Sequence, residues 1–322
     1  MSFSDLSAPA LVSWQLTRDC DLACLHCCTD SAPGRALPGE LSREQALRLA
    51  GEIAAAEVPY VMLCGGEPTR VPHFLELAQT LGKAGVWLKL ETNGQSMNGA
   101  VADQLARLPI RSVQVSIDGS SQEVYGRMRP GGSLSKALEA CSLTLERGIP
   151  LEITFCPTRL NIHQAEAVID LSLDAGAFRF NSGRLMRLGT AAKLWERLEL
   201  SEAAWVEYFE LLQLKEAEQA GRLELCFRPF SLGEAALGGK PSATLLVLPD
   251  GRVKVSAALP YICADLKQVS LARAWESYQR AWLNPAVADA FVGLRGVPSR
   301  LQRANEFMDL PAALMVGVKE SQ

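Results

Sequence analysis

The 322 residues, 48% of them hydrophobic and 21% charged, suffice for one large domain or two ordinary ones with a sizeable core. A net charge of −4 excludes the basic footprint of a nucleic-acid-binding protein, and no apolar run approaches the roughly eighteen residues of a membrane span. Met1-Ser-Phe-Ser-Asp-Leu-Ser7 has no basic start leading into an apolar core, so the nine cysteines read as reduced thiols and metal ligands of a cytoplasmic enzyme.

Residues 11–17 are apolar enough for a buried strand, and a cysteine-rich loop follows, Thr17-Arg-Asp-Cys-Asp-Leu-Ala-Cys-Leu-His-Cys-Cys-Thr29. Ser42 and Gln45 form a capping box that opens a helix to about residue 56. Val58-Pro-Tyr-Val-Met-Leu-Cys64 is a short apolar run closed by Gly65-Gly66, as in a parallel strand covered on both faces. The unit then repeats. Helices are expected over about 72–84, 99–107, 134–147 and 163–175, and strands over 86–92, 110–117, 150–156 and 178–182. Six strands alternating with helices demand parallel pairing, and six units are too few for a closed eight-stranded barrel. The expectation is an α/β fold, a partial (β/α)6 TIM-like barrel with its chemistry at the C-terminal strand ends.

Past residue 190 the alternation is expected to break. A long amphipathic helix over 201–222 precedes a hairpin, Ala243-Thr-Leu-Leu-Val-Leu-Pro-Asp-Gly-Arg-Val-Lys-Val255, with Asp250-Gly251 as its turn. Helix follows over 271–282 and on to about 291. The chain therefore divides into a barrel over 1–200 and a small α+β extension over 201–322.

The unusual residues fall at the strand ends. Cys20, Cys24 and Cys27 have C-x3-C-x2-C spacing, and three such thiolates can hold three corners of an iron–sulfur cluster. One iron would stay open to a small-molecule ligand. A zinc site with His26 as fourth ligand, a redox pair or unrelated core thiols are the alternatives, and a non-catalytic metal or redox sensor would need no further pocket. Gly65 and Gly66 let backbone approach a ligand closely, or simply make a tight turn.

The C-x3-C-x2-C loop after one strand and Cys64-Gly-Gly-Glu-Pro68 after the next resemble the radical S-adenosylmethionine (SAM) superfamily. The likeness is strongest to its peptide- and cofactor-maturing branch with SPASM or twitch extensions. It implies one [4Fe–4S] cluster on Cys20, Cys24 and Cys27, with SAM binding the open iron through its amino and carboxylate groups. Reduction would cleave SAM to methionine and a 5′-deoxyadenosyl radical that abstracts a hydrogen atom from substrate. Gly65, Gly66, Glu67 and Pro68 are then expected in the SAM site, with Asn93, Ser116, Asp118, Arg129 and Arg184 as further contacts. The implied partners are a precursor peptide or small-molecule substrate and an electron donor such as flavodoxin or ferredoxin. The chain departs from that branch beyond residue 200, where Cys226 and Cys263 are the only cysteines and Val255-Ser-Ala-Ala-Leu-Pro260 stands where relatives place cluster ligands. Auxiliary clusters are not expected. Cys263 is a candidate hydrogen-atom donor or a buried small hydrophobe; Cys64, Cys141, Cys156 and Cys226 are expected to be core thiols, while Cys28 adjoins the cluster loop and competes for assignment as a ligand.

Overall fold

The structure, a computed structural model, describes residues 3–227 and 239–311. Met1 and Ser2, and residues 228–238 and 312–322 of the expected extension, lie outside them. Six parallel strands run side by side in chain order: β1 (Leu11–Gln15), β2 (Tyr60–Cys64), β3 (Trp87–Thr92), β4 (Ile110–Ser116), β5 (Leu151–Phe155) and β6 (Arg179–Ser182). The intervening helices are α1 (Arg43–Ala55), α2 (Phe74–Lys83), α3 (Gly99–Leu105), α4 (Gln122–Met128), α5 (Leu134–Leu145) and α6 (Ala165–Asp174). Ser42 and Gln45 close the expected capping box at α1, each side chain accepting from the other's backbone N–H. Sequence periodicity misses α4. Its seven residues, interrupted by Gly126, are too few to show a pattern, although Ser121 caps it by accepting from Val124 N.

The alternation continues one strand beyond the sequence expectation. After α7 (Gly189–Lys193), α8 (Trp195–Leu198) and α9 (Glu202–Glu218), the three-residue β7 (Glu224–Cys226) pairs parallel with β6. The expected hairpin is present as β8 (Thr244–Val247) and β9 (Arg252–Lys254), with Gly251 at a φ of 85° in its turn. Two short strands that the sequence hides, β10 (Tyr261–Asp265) and β11 (Met308–Asp309), extend it, and α10 (Leu271–Ala281) and α11 (Pro285–Gly296) pack beside it.

The hairpin does more than form a satellite. β8 pairs parallel with β1, Val12 opposite Leu245, so the described strands make one sheet ordered β11-β10-β9-β8-β1-β2-β3-β4-β5-β6-β7. β7 and β8 do not pair, which leaves an open, partial TIM-like barrel with a small α+β extension on its β1 side. Among the described residues no helix is long and apolar enough to cross a membrane.

Helix-facing strand residues such as Val12, Trp14, Leu63, Leu90 and Ile153 are fully buried, as the hydrophobic effect requires. The inner face of the sheet is polar. Lys89 Nζ donates to Glu152 (2.8 Å) and Gln114 (2.9 Å), and Asn181 Nδ2 and Ser112 Oγ also donate to the Glu152 carboxylate. A buried charge this well partnered can be sustained.

The extension shares the barrel's core through Trp275. Its ring stacks on Tyr278 at 5.3 Å, meets Phe3 edge-on, and donates Nε1–H to the Leu6 carbonyl at 2.8 Å. Glu52 of α1 accepts from the Leu271 N–H at the start of α10. Trp275→Ala is expected to lower stability by about 3–5 kcal/mol, read from the midpoint of urea unfolding. A loss below about 1 kcal/mol would show that this contact does not join extension to barrel.

Candidate active site

The cysteine loop leaves β1 and is held at its root by the turn after β2. Gly66 N donates to Thr17 O (2.7 Å) and Glu67 N to Asp19 O (3.0 Å). A Cβ on Gly66 would lie 2.0 Å from the Asp19 carbonyl oxygen, so only glycine permits this approach. Glu67 is fully buried, and its carboxylate accepts from Thr69 N, Thr69 Oγ1, Thr92 Oγ1 and Asn93 N. Burial pushes its pKa up, and those four donors oppose the shift. The Gly-Gly-Glu-Pro turn therefore bolts the ends of β1, β2 and β3 together, with Pro68 buried at the start of a short 3₁₀ turn.

The rest of the loop is pinned from other sides. Ala23 N and Leu25 N donate to the carbonyls of Pro130 and Met128 at the end of α4. Thr190 N donates to Cys27 O, and Asn305 Nδ2 to Cys28 O. Gly189, at a φ of 55°, would place a Cβ 2.7 Å from the carbonyl oxygens of Cys27 and Cys28.

Each of the three sulfurs has its own donors. Cys20 Sγ accepts from Leu22 N and Asn93 Nδ2, both at 3.5 Å, and Cys27 Sγ accepts from Ser31 N at 3.2 Å. Arg129 Nη1 lies 3.6 Å from Cys24 Sγ. Burial pushes the Cys20 thiol up to about 12 and the Cys24 thiol up to about 11, the latter against the Arg129 charge. A metal bound here would have to displace protons from these thiols. Among the described residues no three His, Cys, Asp or Glu side chains converge on a point as a single-ion site requires. Thiols that each reach a different iron have no need to converge. Three cysteine sulfurs, each fed by N–H donors or a guanidinium, are a donor set that fits an iron–sulfur cluster.

Behind the loop lies a buried ionic knot that sequence reading resolves only in part. Asp118 Oδ2 accepts from Arg129 Nε (2.6 Å) and His26 Nε2 (3.0 Å), while Oδ1 accepts from Cys156 N (2.7 Å). Burial alone would raise the Asp118 pKa, but Arg129 and then His26 hold it well below the usual carboxylate range. The sequence offers His26 only as a zinc ligand; in the structure its Nδ1 is buried without a hydrogen-bond partner.

Asn93 joins the same network, donating to Asp21 Oδ1 at 2.7 Å as well as to Cys20 Sγ. Ser116 ends β4 and by strand alternation shares the inner face with Gln114. The structure thus brings Cys20, Cys24, Cys27, Gly65, Gly66, Glu67, Asn93, Asp118 and Arg129 into one connected site. Arg184 is engaged elsewhere, paired with Glu202 and stacked 5.1 Å above the Trp205 ring. Cys263 sits on β10 with its thiol donating to Val253 O, and burial pushes it up to about 12. Sequence reading passes over the inward row Lys89, Glu91 and Glu152. The alternation in Trp87-Leu-Lys-Leu-Glu-Thr92 is the signal that reveals its first two members.

Residues 14–172 match the family described as the Radical SAM superfamily. Mycofactocin maturase MftC of Mycobacterium ulcerans (strain Agy99) is 36% identical over 211 residues, which are 65% of this chain and 56% of that protein. The chain thus spans little more than half the length of that relative. PqqA peptide cyclase of Ruegeria pomeroyi is 30% identical over 268 residues, covering 80% of this chain and 71% of that protein. AdoMet-dependent heme synthase of Methanosarcina barkeri is 23% identical over 296 residues, covering 84% and 83%. In fold the chain is similar to Streptococcus suis SuiB, solved bound to S-adenosylmethionine, with a TM-score of 0.67 at 14% identity over 84% of this chain and 66% of that one.

Asp118→Asn breaks a buried ion pair and is expected to cost about 3–5 kcal/mol, measured by chemical denaturation at neutral pH. Because the folded pKa of Asp118 lies below the unfolded one, its stabilisation is complete above about pH 4 and fades only on further acidification. The variant should therefore lose stability at neutral pH and show a flatter acid limb; an unchanged profile would remove the knot from the site's support. Gly66→Ala should fold with a displaced cysteine loop and take up markedly less iron than the parent chain, measured as iron per chain after anaerobic reconstitution. Equal iron content would show that the loop tolerates the added methyl group.

Proposed function

The chain belongs to the radical SAM superfamily, and on that premise we propose that it cleaves SAM reductively at one [4Fe–4S] cluster and removes a hydrogen atom from a peptide or cofactor-precursor substrate. The observation that carries this reading is the meeting of three separately hydrogen-bonded cysteine sulfurs with the Gly-Gly-Glu-Pro turn at one end of an open parallel barrel. When bound, cluster and SAM supply a 5′-deoxyadenosyl radical.

The chain's own residues do the rest. Cys20, Cys24 and Cys27 hold the cluster, and the Arg129 guanidinium beside Cys24 offsets negative charge on the thiolates. Glu67 and Asp118, whose oxygens are occupied by donors from the chain, support the SAM site by fixing the backbone around it. Gly65, Gly66, Asn93 and Ser116 are the residues of this end proposed to face SAM, whereas Arg184, engaged by Glu202 and Trp205, is not among them. The barrel, which runs on through β7, supplies this chemistry, and the extension that begins at β8 flanks it on the β1 side. Only Cys226 and Cys263 occur beyond residue 200, which favours a single cluster. Cys263, whose partly buried thiol donates to Val253 O, is kept as the candidate hydrogen-atom donor. A reduced flavodoxin or ferredoxin in the cytoplasm is the proposed source of electrons.

The names of two relatives, a mycofactocin maturase and a PqqA peptide cyclase, support a peptide substrate. A tetrapyrrole substrate is the second reading, favoured by the match to a heme synthase over 84% of the chain. After anaerobic reconstitution the protein should carry about four irons per chain and release 5′-deoxyadenosine from SAM with dithionite. Cys24→Ala should abolish that release. Formation of 5′-deoxyadenosine that survives Cys24→Ala, or its absence from the parent chain, would sink this function.

A further inference from the structure

Where the barrel meets the extension, a cavity of about 440 Å3 is bounded by residues of β1, β2, β8, β9 and α10, a size suited to a small ligand or one or two residues of a peptide. Met62, Met186, Leu246, Tyr278 and Trp282 give it an apolar wall. Its charged residues are Lys240 and Lys254, with no Asp or Glu among the described residues that line it. Lys254 also borders a smaller cavity shared with Cys28 and Thr29 of the cysteine loop, so one residue lines both the large cavity and the space beside the loop.

Lys254 is 3% exposed. Its Nζ donates to the carbonyls of Ala304 (2.8 Å) and Ala257 (3.3 Å) and lies 5.5 Å from the centroid of the Phe307 ring. These contacts use two of the three N–H bonds of an ammonium. Among the described residues no carboxylate pairs with it. Burial pulls its pKa down to about 7, opposed only by the nearby Cys28. A buried cation without a counter-ion is costly, and bridging two carbonyls needs no charge, since a neutral amide side chain can do it. Beyond the face of the Phe307 ring, the chain's own contacts give that charge no anionic partner. An anion arriving in the cavity would supply the missing partner at low local dielectric, where the pairing is strongest.

Resting on the function proposed above, we propose that this cavity is the substrate pocket and that Lys254 holds a carboxylate which the substrate carries on an apolar body. The apolar wall takes the body, and the ammonium at the loop side fixes which end enters first. The register of substrate against the cluster end of the barrel follows from that one contact. A free carboxylic acid and the C-terminal residue of a peptide present the same chemistry, and the experiment separates them.

Binding to the full, cluster-loaded chain is measured anaerobically by calorimetry, without reductant, for two matched pairs: N-acetyl-leucylphenylalanine and its C-terminal amide, and 4-phenylbutyrate and 4-phenylbutyramide. At least one acid should bind about tenfold or more tightly than its amide. Preference for the dipeptide acid assigns the site to a peptide end, and preference for phenylbutyrate to a free acid. Lys254→Met should erase the difference between acid and amide, while Lys254→Arg should keep part of it. Equal binding of acid and amide by the parent chain, no binding of either acid at about millimolar concentration, or discrimination that survives Lys254→Met overturns the proposal. If Lys254→Met does not fold, Lys254→Gln is read in the same way, and the comparison of acid with amide on the parent chain decides without a variant. Because no SAM cleavage is involved, a chain that binds the acid yet forms no 5′-deoxyadenosine refutes the proposed function and not the pocket's carboxylate preference.

Discussion

The site depends on the buried pair between Asp118 and Arg129. Asp118 follows β4, Arg129 closes α4, His26 comes from the cysteine loop, and the Cys156 N–H from the end of β5 completes the set. Four segments far apart in sequence are thereby fixed at one point. Removing one charge would strand the other in a low-dielectric interior, so the pair tolerates little displacement. Through Arg129 Nη1 that rigidity reaches the Cys24 sulfur. Positioning of this kind holds the Cys24 side of the loop still relative to the ends of β4 and β5.

A second fastening complements the first on the other side of the loop. The Gly66 and Glu67 N–H groups bind the carbonyls of Thr17 and Asp19, while the Glu67 carboxylate gathers donors from the end of β3. One motif thus ties the loop to the ends of β1 and β3. The backbone approach has no room for a Cβ at Gly66, which explains why the chemistry of this turn resides in glycine and not in a polar side chain. The extension adds a third constraint through Asn305, whose side chain donates to Cys28 O.

Much of the barrel was legible because each β/α unit carries its own local signals: an apolar strand, a turn rich in Gly or Asp, and a capped helix such as the one begun by Ser42 and Gln45. The cysteine spacing and the Gly-Gly-Glu-Pro motif were legible for the same reason, being contiguous. Short elements escaped. β7, β10, β11 and α4 have two to seven residues, and at that length periodicity carries no information. The role of His26 escaped as well, because its partner Asp118 is ninety-two positions further along the chain and nothing local marks the pair. Arg129 and Arg184 looked alike in sequence. The fold separated them by giving one a buried carboxylate beside the cysteine loop and the other an acidic partner and an aromatic ring on α9.

The hairpin around Asp250-Gly251 shows where the boundary falls. Its turn chemistry and alternating residues determined that two antiparallel strands would form there. Only the tertiary structure decided that β8 would dock parallel to β1, more than two hundred residues earlier, and so carry Lys254 into the wall between barrel and extension. Strand formation is a local matter of backbone and side-chain preference. Pairing between distant strands depends on which buried face is left to cover, and that is settled when the whole core assembles. The sequence by itself determined the cysteine spacing, the glycine turn and the order of the units. Assembly decided how they meet, the ion pair that joins Asp118 to Arg129 and the cavity between barrel and extension.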